Sequence, residues 1–132
     1  MPNSLSTSAA GRQPYVLVTG SGLWTPAELE QHFGDLDRKL QAMRAKIGFA
    51  RVLVNLGDAK VQTAEAATVI RKWTAQIYGE NDQVAVVCGT SLLALQIRHQ
   101  ARVRNLKTFS DRDLAIQWLL ADATELRAAR SA

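Results

Sequence analysis

The chain has 132 residues, a formal net charge of +4, 47% hydrophobic residues and 21% charged residues. This length suits one domain and would hardly accommodate two, and the composition is ordinary for a globular protein. No apolar run approaches the ~20 residues needed to span a bilayer, and residues 1–13 lack the cationic start and apolar centre of a secretory signal. We therefore expect a cytoplasmic protein whose residues 1–13 form a flexible tail.

Basic and acidic residues are mixed along most of the chain, so the net charge does not predict a nucleic-acid partner. The single cysteine, Cys88, excludes an internal disulfide framework and a multi-cysteine zinc site. One local concentration of basic residues comprises Arg98, His99, Arg102, Arg104 and Lys107. This concentration predicts either contact with a phosphate, an anionic lipid or an acidic protein, or an ordinary solvated helix face.

The first predicted strand and helix lie in the first third of the chain. Residues 15–19 favour a β-strand, and the glycine-rich turn at residues 20–22 ends it. Residues 25–28 read Thr-Pro-Ala-Glu, which combines a capping threonine, proline at the first helical position and glutamate three residues after the cap. Apolar residues then recur at spacings of three and four, on one face of a helix that Gly48 should end. These residues are Leu29, Phe33, Leu36, Leu40, Met43 and Ile47.

Two further strand and helix pairs follow. Residues 51–56 form a near-continuous apolar run, which is typical of a central strand covered by helices. A second helix, ending near Gly79, is predicted by the spacing of its apolar residues. Its core face comprises Ala66, Ile70, Trp73 and Ile77. Residues 84–88 form another buried strand, and residues 89–91 lead into a third helix that should run to about Arg104.

The last strand and helix complete the alternation. A brief strand at residues 107–109 precedes Ser-Asp-Arg-Asp at residues 110–113, an acidic variant of the capping box. The last helix should pack through Leu114, Trp118 and Leu119. Its Ala-rich continuation over residues 121–132 should extend the helix and then fray. The sequence thus predicts a βαβαβαβα domain over residues 14–120, with a mixed, mostly parallel sheet of four to five strands covered by helices.

Several segments, taken in their order and spacing, match a known pattern. They are residues 18–20, 25–29, 51–56, 84–89, 109–111 and 115–119, and the closing Ala115, Trp118 and Leu119 are the most specific of them. In these segments the chain resembles STAS-like domains, and more closely their bacterial stand-alone branch, similar to the sporulation anti-sigma-factor antagonist. The resemblance implies a STAS-like fold, grouped structurally with CRAL-TRIO lipid-transfer domains, and a regulatory role through protein contact.

The resemblance also implies where a partner binds. In anti-sigma antagonists, a serine or threonine at the start of the helix after the second core strand is phosphorylated by a partner kinase, which reverses binding. The corresponding surface here is Gly57, Asp58, Lys60, Val61 and Thr63, and the implied partner is a kinase or an anti-sigma-like protein. The usual Asp-Ser-Ser or Asp-Ser-Thr signature is absent. Thr63 is therefore either the phosphorylated residue or the cap of the second helix.

Two chemical hypotheses concern the start of the third helix. Thr90 and Ser91 follow a strand, where backbone N–H groups can hold an anion, and Arg98 and Arg102 lie further along the same helix. Cys88 is either a reactive thiol beside this helix start or a small buried hydrophobe that ends an apolar strand. The sequence leaves both alternatives open.

The remaining candidate residues predict neither a metal nor a cofactor. His32 and His99 share no motif or metal-ligand spacing, and we expect both at the surface or its boundary. Trp73 and Trp118 fall on predicted core faces, whereas Trp24 should be exposable. We therefore expect a non-enzymatic binding module. The alternatives are a carrier or sensor of a lipid or other small apolar or anionic ligand, and an enzyme that uses Cys88 or a bound anion.

Overall fold

The computed structural model describes residues 3–8 and 14–131, with side chains described up to residue 121. Its elements are β1 (Ser4–Ser8), β2 (Val16–Gly22), α1 (Pro26–Ile47), β3 (Arg51–Ala59), α2 (Ala64–Ile77), β4 (Gln83–Cys88), α3 (Ser91–Gln100), β5 (Leu106–Phe109) and α4 (Arg112–Ser131). The strands form one sheet in the order β1-β2-β3-β4-β5. β2 to β5 run parallel, and β1 pairs antiparallel with β2. The predicted mixed, mostly parallel sheet covered by helices is confirmed, with β3 at its centre.

The start of α1 follows the predicted capping pattern. The Thr25 hydroxyl accepts a hydrogen bond from the Glu28 backbone N–H at 3.1 Å, and the Glu28 carboxylate accepts one from the Thr25 N–H at 3.2 Å. Gly48 ends the helix with φ of +88°, a conformation that glycine adopts without a steric penalty. Five of the six predicted core residues are buried, but Ile47, in the last turn, is 41% exposed.

The helix α3 is shorter than predicted. It ends at Gln100 because Ala101 is extended, with φ of −74° and ψ of 128°, and the next N–H, of Arg102, donates to the Thr74 hydroxyl of α2 at 2.9 Å. The predicted end near Arg104 is therefore wrong. A side-chain acceptor on a neighbouring helix takes the place of the next helical carbonyl.

The strand β1 corrects the prediction of a flexible tail at residues 4–8. These residues pair with β2, and the Trp24 indole N–H donates to the Ser4 carbonyl at 2.7 Å. Leu5 packs against the main core. Residues 9–13 lie outside the described part of the chain, as do residues 1 and 2.

The sheet separates two apolar clusters. The larger lies between the sheet and α1, α2 and α3, and the smaller lies between the sheet and α4. Residues of the smaller cluster are Tyr15, Leu53, Ala85, Val87, Ala115 and Leu119. Of the predicted contacts of α4, Leu119 is buried and Trp118 packs at the edge of the cluster. Leu114 is 52% exposed, so that contact was predicted wrongly: Ala115, the next residue along the helix, faces the sheet instead. The predicted extension over residues 121–132 is helical to Ser131, and its fraying stays a prediction.

Candidate functional site

The loops that follow β2, β3 and β4 meet at the carboxyl end of the parallel strands. Gly22 pairs with Ala59, and Leu56 pairs with Cys88. The loop at Gly89 approaches the β3 backbone so closely that a β-carbon there would lie 2.2 Å from the Gly57 carbonyl oxygen. In open parallel sheets this end is where ligands commonly bind.

Gln62 joins the loops after β2 and β3 to helix α3 by hydrogen bonds and is 5% exposed. Its amide nitrogen donates to the carbonyls of Gly22 at 3.0 Å and Lys60 at 2.7 Å, and its amide oxygen accepts from the Trp24 N–H at 3.1 Å. Its backbone N–H and carbonyl bond the Gln96 side chain of α3 at 2.7 and 2.8 Å. The sequence analysis missed Gln62, because a lone glutamine in a loop carries no pattern. The structure makes it the connector of three segments.

Four large apolar side chains are exposed on the segments that this connector joins. We call them the edge patch: Leu23 (38% exposed), Val61 (46%), Leu92 (70%) and Leu95 (47%). Leu23 and Val61 are chain neighbours of Trp24 and Gln62, and Leu92 and Leu95 lie on the helix that carries Gln96. Of the four, the sequence analysis named Val61 alone.

The other predicted partner-binding residues lie beside the edge patch. Gly57, Asp58, Lys60 and Thr63 are all exposed. The Thr63 hydroxyl accepts a hydrogen bond from the Ala66 N–H at 3.2 Å, so Thr63 caps α2. The structure thus groups the predicted surface in one place, and its role in binding stays a prediction.

The predicted anion-binding residues are divided between the two ends of α3. The Thr90 hydroxyl accepts a hydrogen bond from the Leu93 N–H at 3.1 Å and caps the helix, with the exposed Ser91 beside it. Arg98 and Arg102 are exposed at the other end. An anion site built from all four residues stays a prediction.

Cys88 is 5% exposed, and burial raises the pKa of its thiol to about 11, against a smaller lowering by the Arg98 charge. A thiol with such a pKa is almost entirely protonated near neutral pH and is a poor nucleophile. The environment therefore agrees with the buried-hydrophobe alternative.

Within residues 3–8 and 14–121, no group of three or more His, Cys, Asp and Glu side chains is placed to hold a metal ion.

The two histidines differ in environment. His99 is exposed, but His32 is 8% exposed, so the prediction of a surface or boundary position is wrong for His32. His32 packs edge-on against Phe33 with ring centroids 5.0 Å apart. Burial lowers the pKa of His32 to about 4, with smaller opposing effects from Asp35, which raises it, and Lys39, which lowers it. The imidazole is therefore uncharged near neutral pH.

An apolar cavity of about 70 Å³ lies between the sheet and α1, α2 and α3. Trp24 forms part of its wall and is 5% exposed, so the prediction that Trp24 is exposable is wrong. Its indole N–H is satisfied by the Ser4 carbonyl, which lets the ring be buried. The remaining lining comes mainly from aliphatic residues, including Val18, Leu29, Leu36, Val54, Leu56, Ile70, Val84, Val86 and Ile97.

A polar groove of about 390 Å³ runs between β1 and α1 beside this cavity. Its lining residues are Leu5, Ser6, Thr7, Glu28, Gln31, His32, Asp35 and Lys39. Leu5 and His32 also line the cavity, so the apolar space and the polar one adjoin at these two residues. The sequence analysis did not predict the groove, because one wall is β1.

Comparison with known proteins identifies the fold. No family model matches the chain, and no curated protein matches it. One solved structure, an uncharacterized protein from the DUF3478 family with a SpoIIAA-like fold from Shewanella loihica PV-4, superposes with a TM-score of 0.65. The match has 19% sequence identity and covers 90% of this chain and 96% of that one. The chain therefore has a SpoIIAA-like fold, and the resemblance to STAS-like domains is confirmed at the level of the fold.

Among the described residues, no helix is both long and apolar enough to cross a membrane.

Proposed function

We propose that this protein is a non-enzymatic regulatory module that binds a cytoplasmic protein partner through the edge patch and the adjoining residues from Gly57 to Thr63. The observation that carries the proposal is the exposure of Leu23, Val61, Leu92 and Leu95 on segments that Gln62 joins by hydrogen bonds. The SpoIIAA-like fold supports it, because the partner surface implied by the resemblance lies at the same edge.

The energetics of the patch favour a protein partner. Burying one leucine or valine side chain contributes about 1.5–3 kcal/mol, so removal of these side chains from water would favour association with a partner. Gln62 and Gln96 hold each other through two hydrogen bonds, which fixes the loop against α3 before a partner arrives. A preorganised surface of this kind loses little conformational entropy on binding.

The test is an affinity capture with matched surface variants. The protein is used as bait, the captured protein is identified by mass spectrometry, and its affinity for purified variants is then measured. We expect Leu92→Asp and Val61→Asp each to weaken binding by at least about tenfold, because they place a charge in an apolar contact. Leu114→Asp is the control, since Leu114 is 52% exposed on α4, across the sheet. Equal affinity of all three variants would remove the edge patch from the interface.

Thr63 provides a separate test of regulation. Its hydroxyl caps α2, and a phosphate there would lie at the positive end of the helix and add charge beside Val61. We expect a kinase that co-purifies with the partner to add one phosphate to the wild type and none to Thr63→Ala, as read by intact mass. An unmodified wild-type mass after incubation with an active kinase would contradict this switch.

A second candidate function is favoured by the apolar cavity: a carrier or sensor of a small apolar ligand. A cavity of about 70 Å³ is too small for the acyl chain of a lipid, so the ligand would be a much smaller molecule. Native mass spectrometry of the freshly purified protein tests retention of such a ligand. A mass equal to that of the bare chain would count against a tightly held one.

A further inference from the structure

We propose that the cavity and the groove together form one binding site for a small uncharged amphipathic molecule. Its apolar end would occupy the cavity, and its neutral polar end, such as a hydroxyl or amide, would lie in the groove. This inference rests on the second candidate function and names the ligand class of that site. Two adjacent spaces of opposite polarity carry it, because Leu5 and His32 line both of them.

The cavity limits the size of the apolar end. A cavity of about 150 Å³ lined by aliphatic and aromatic side chains holds benzene, so about 70 Å³ holds a chain of roughly three carbon atoms. Its wall contains the buried Val86 on the sheet and Leu29 and Leu36 on α1. The Thr74 hydroxyl in the wall donates to the Ile70 carbonyl at 2.7 Å, and the rest of the wall is mainly aliphatic. The cavity therefore favours an apolar occupant over water.

The groove selects against a charged head group. The Lys39 ammonium donates to the Thr7 carbonyl at 3.1 Å and to the Thr7 hydroxyl. The Glu28 carboxylate is held in the capping box, and the Asp35 carboxylate pairs with Arg38. An anion would approach two carboxylates, and a cation would have to compete with their existing partners. A neutral head group avoids both costs.

His32 supplies the polar contact at the junction. Its ring is buried and neutral, so one ring nitrogen can donate a hydrogen bond and the other can accept one. One donor and one acceptor nitrogen match a hydroxyl or an amide of the ligand, because each of these groups can both donate and accept a hydrogen bond. Leu5 lies beside it on β1, which the bond from the Trp24 indole to Ser4 holds against the rest of the fold.

The experiment is an NMR titration of the isotope-labelled full chain with four probes. Xenon reports on the apolar space alone, and 1-propanol, propanoate and propylammonium share a three-carbon chain and differ in the charge of the head group. We expect xenon to shift the Val54 and Val86 methyl signals, and 1-propanol to shift these signals and those of His32 and Thr7. Binding of 1-propanol should be at least about fivefold tighter than that of either ion, because a charge is costly to desolvate beside partnered ions.

A pair of adjacent substitutions locates the site. Val86 lines the cavity, whereas Val87 belongs to the cluster on the opposite face of the sheet. Val86→Ile adds a methyl group to the space and should weaken 1-propanol binding by about tenfold, whereas the control Val87→Ile should leave it within about twofold.

The outcomes separate the two levels of the proposal. If xenon leaves the cavity methyl signals unchanged, the cavity does not accept ligands, and the second candidate function falls together with this inference. If xenon binds but 1-propanol binds no better than propanoate and propylammonium, or leaves His32 and Thr7 unchanged, the inference about the head group fails alone. These readouts use the wild-type chain, so they stand even where Val86→Ile does not fold.

Discussion

Burial of His32 makes the stability of the fold depend on pH. The pKa of His32 is about 4 in the folded state, against about 6.5 for an exposed histidine, so between these values the imidazole is protonated only after unfolding. Since the folded pKa is the lower one, this contribution to stability is complete above pH 6.5. It is lost as the pH falls towards 4.

The size of the effect follows from the two pKa values. Each unit of difference is worth about 1.4 kcal/mol, so the whole window corresponds to about 3 kcal/mol. Between about pH 7.5 and about pH 5, the free energy of unfolding should fall by about 2 kcal/mol because of this one group. Protonation of carboxylates adds to the loss, so the contribution of His32 has to be measured as a difference.

The assay is urea denaturation of the wild type, His32→Gln and His99→Gln at both pH values, followed by tryptophan fluorescence. His32→Gln should lose about 2 kcal/mol less than the wild type over this interval, because it removes the titrating group. His99→Gln, at an exposed position, is the matched control and should lose as much as the wild type. Equal losses for the wild type and His32→Gln would refute the assignment of a lowered pKa to burial.

Three further predictions concern groups that sequence patterns did not single out or left open. Asp82→Asn should lower the free energy of unfolding by about 3–5 kcal/mol in chemical denaturation, because the buried carboxylate pairs with Arg44 and accepts the Ala50 and Gly79 N–H groups at 2.7 Å each. A loss below about 1 kcal/mol would contradict this role. The Cys88 thiol should react with iodoacetamide at about pH 8 at least about tenfold more slowly in the folded chain than in denaturant, because its pKa is raised to about 11 in the fold. Mass spectrometry would measure the two rates, and equal rates would contradict the burial of the thiol. Gly89→Ala should lower the melting temperature, since the new β-carbon would overlap a backbone carbonyl at 2.2 Å; an unchanged melting temperature would mean that the two loops move apart freely.

Much of the fold could be predicted from local signals. The capping residues Thr25 and Thr90 begin helices where expected, because each hydroxyl satisfies the N–H group three residues ahead in the same segment. Strand β3 was evident from its apolar run, since a strand covered on both faces has few polar positions. Such features depend on neighbours in the sequence and therefore leave a readable pattern.

The missed features depend on contacts between distant segments. Strand β1 contains Leu5 as its one apolar residue and is held by pairing with β2 and by a bond from Trp24, twenty residues away. The burial of His32 follows from β1 and the neighbouring aromatic ring, and the connecting role of Gln62 follows from two loops meeting helix α3. Because the cavity and the groove are bounded by β1, neither could be located before that strand was known.

The arrangement of α4 has a consequence for synthesis of the protein. This helix follows the five strands of the described residues, and Ala115 and Leu119 are its buried contacts with Tyr15, Leu53 and Val87. Until α4 has left the ribosome and docked, this apolar face of the sheet is uncovered and can associate with other chains. Release of a chain truncated before residue 112 would therefore leave the face exposed permanently and favour aggregation.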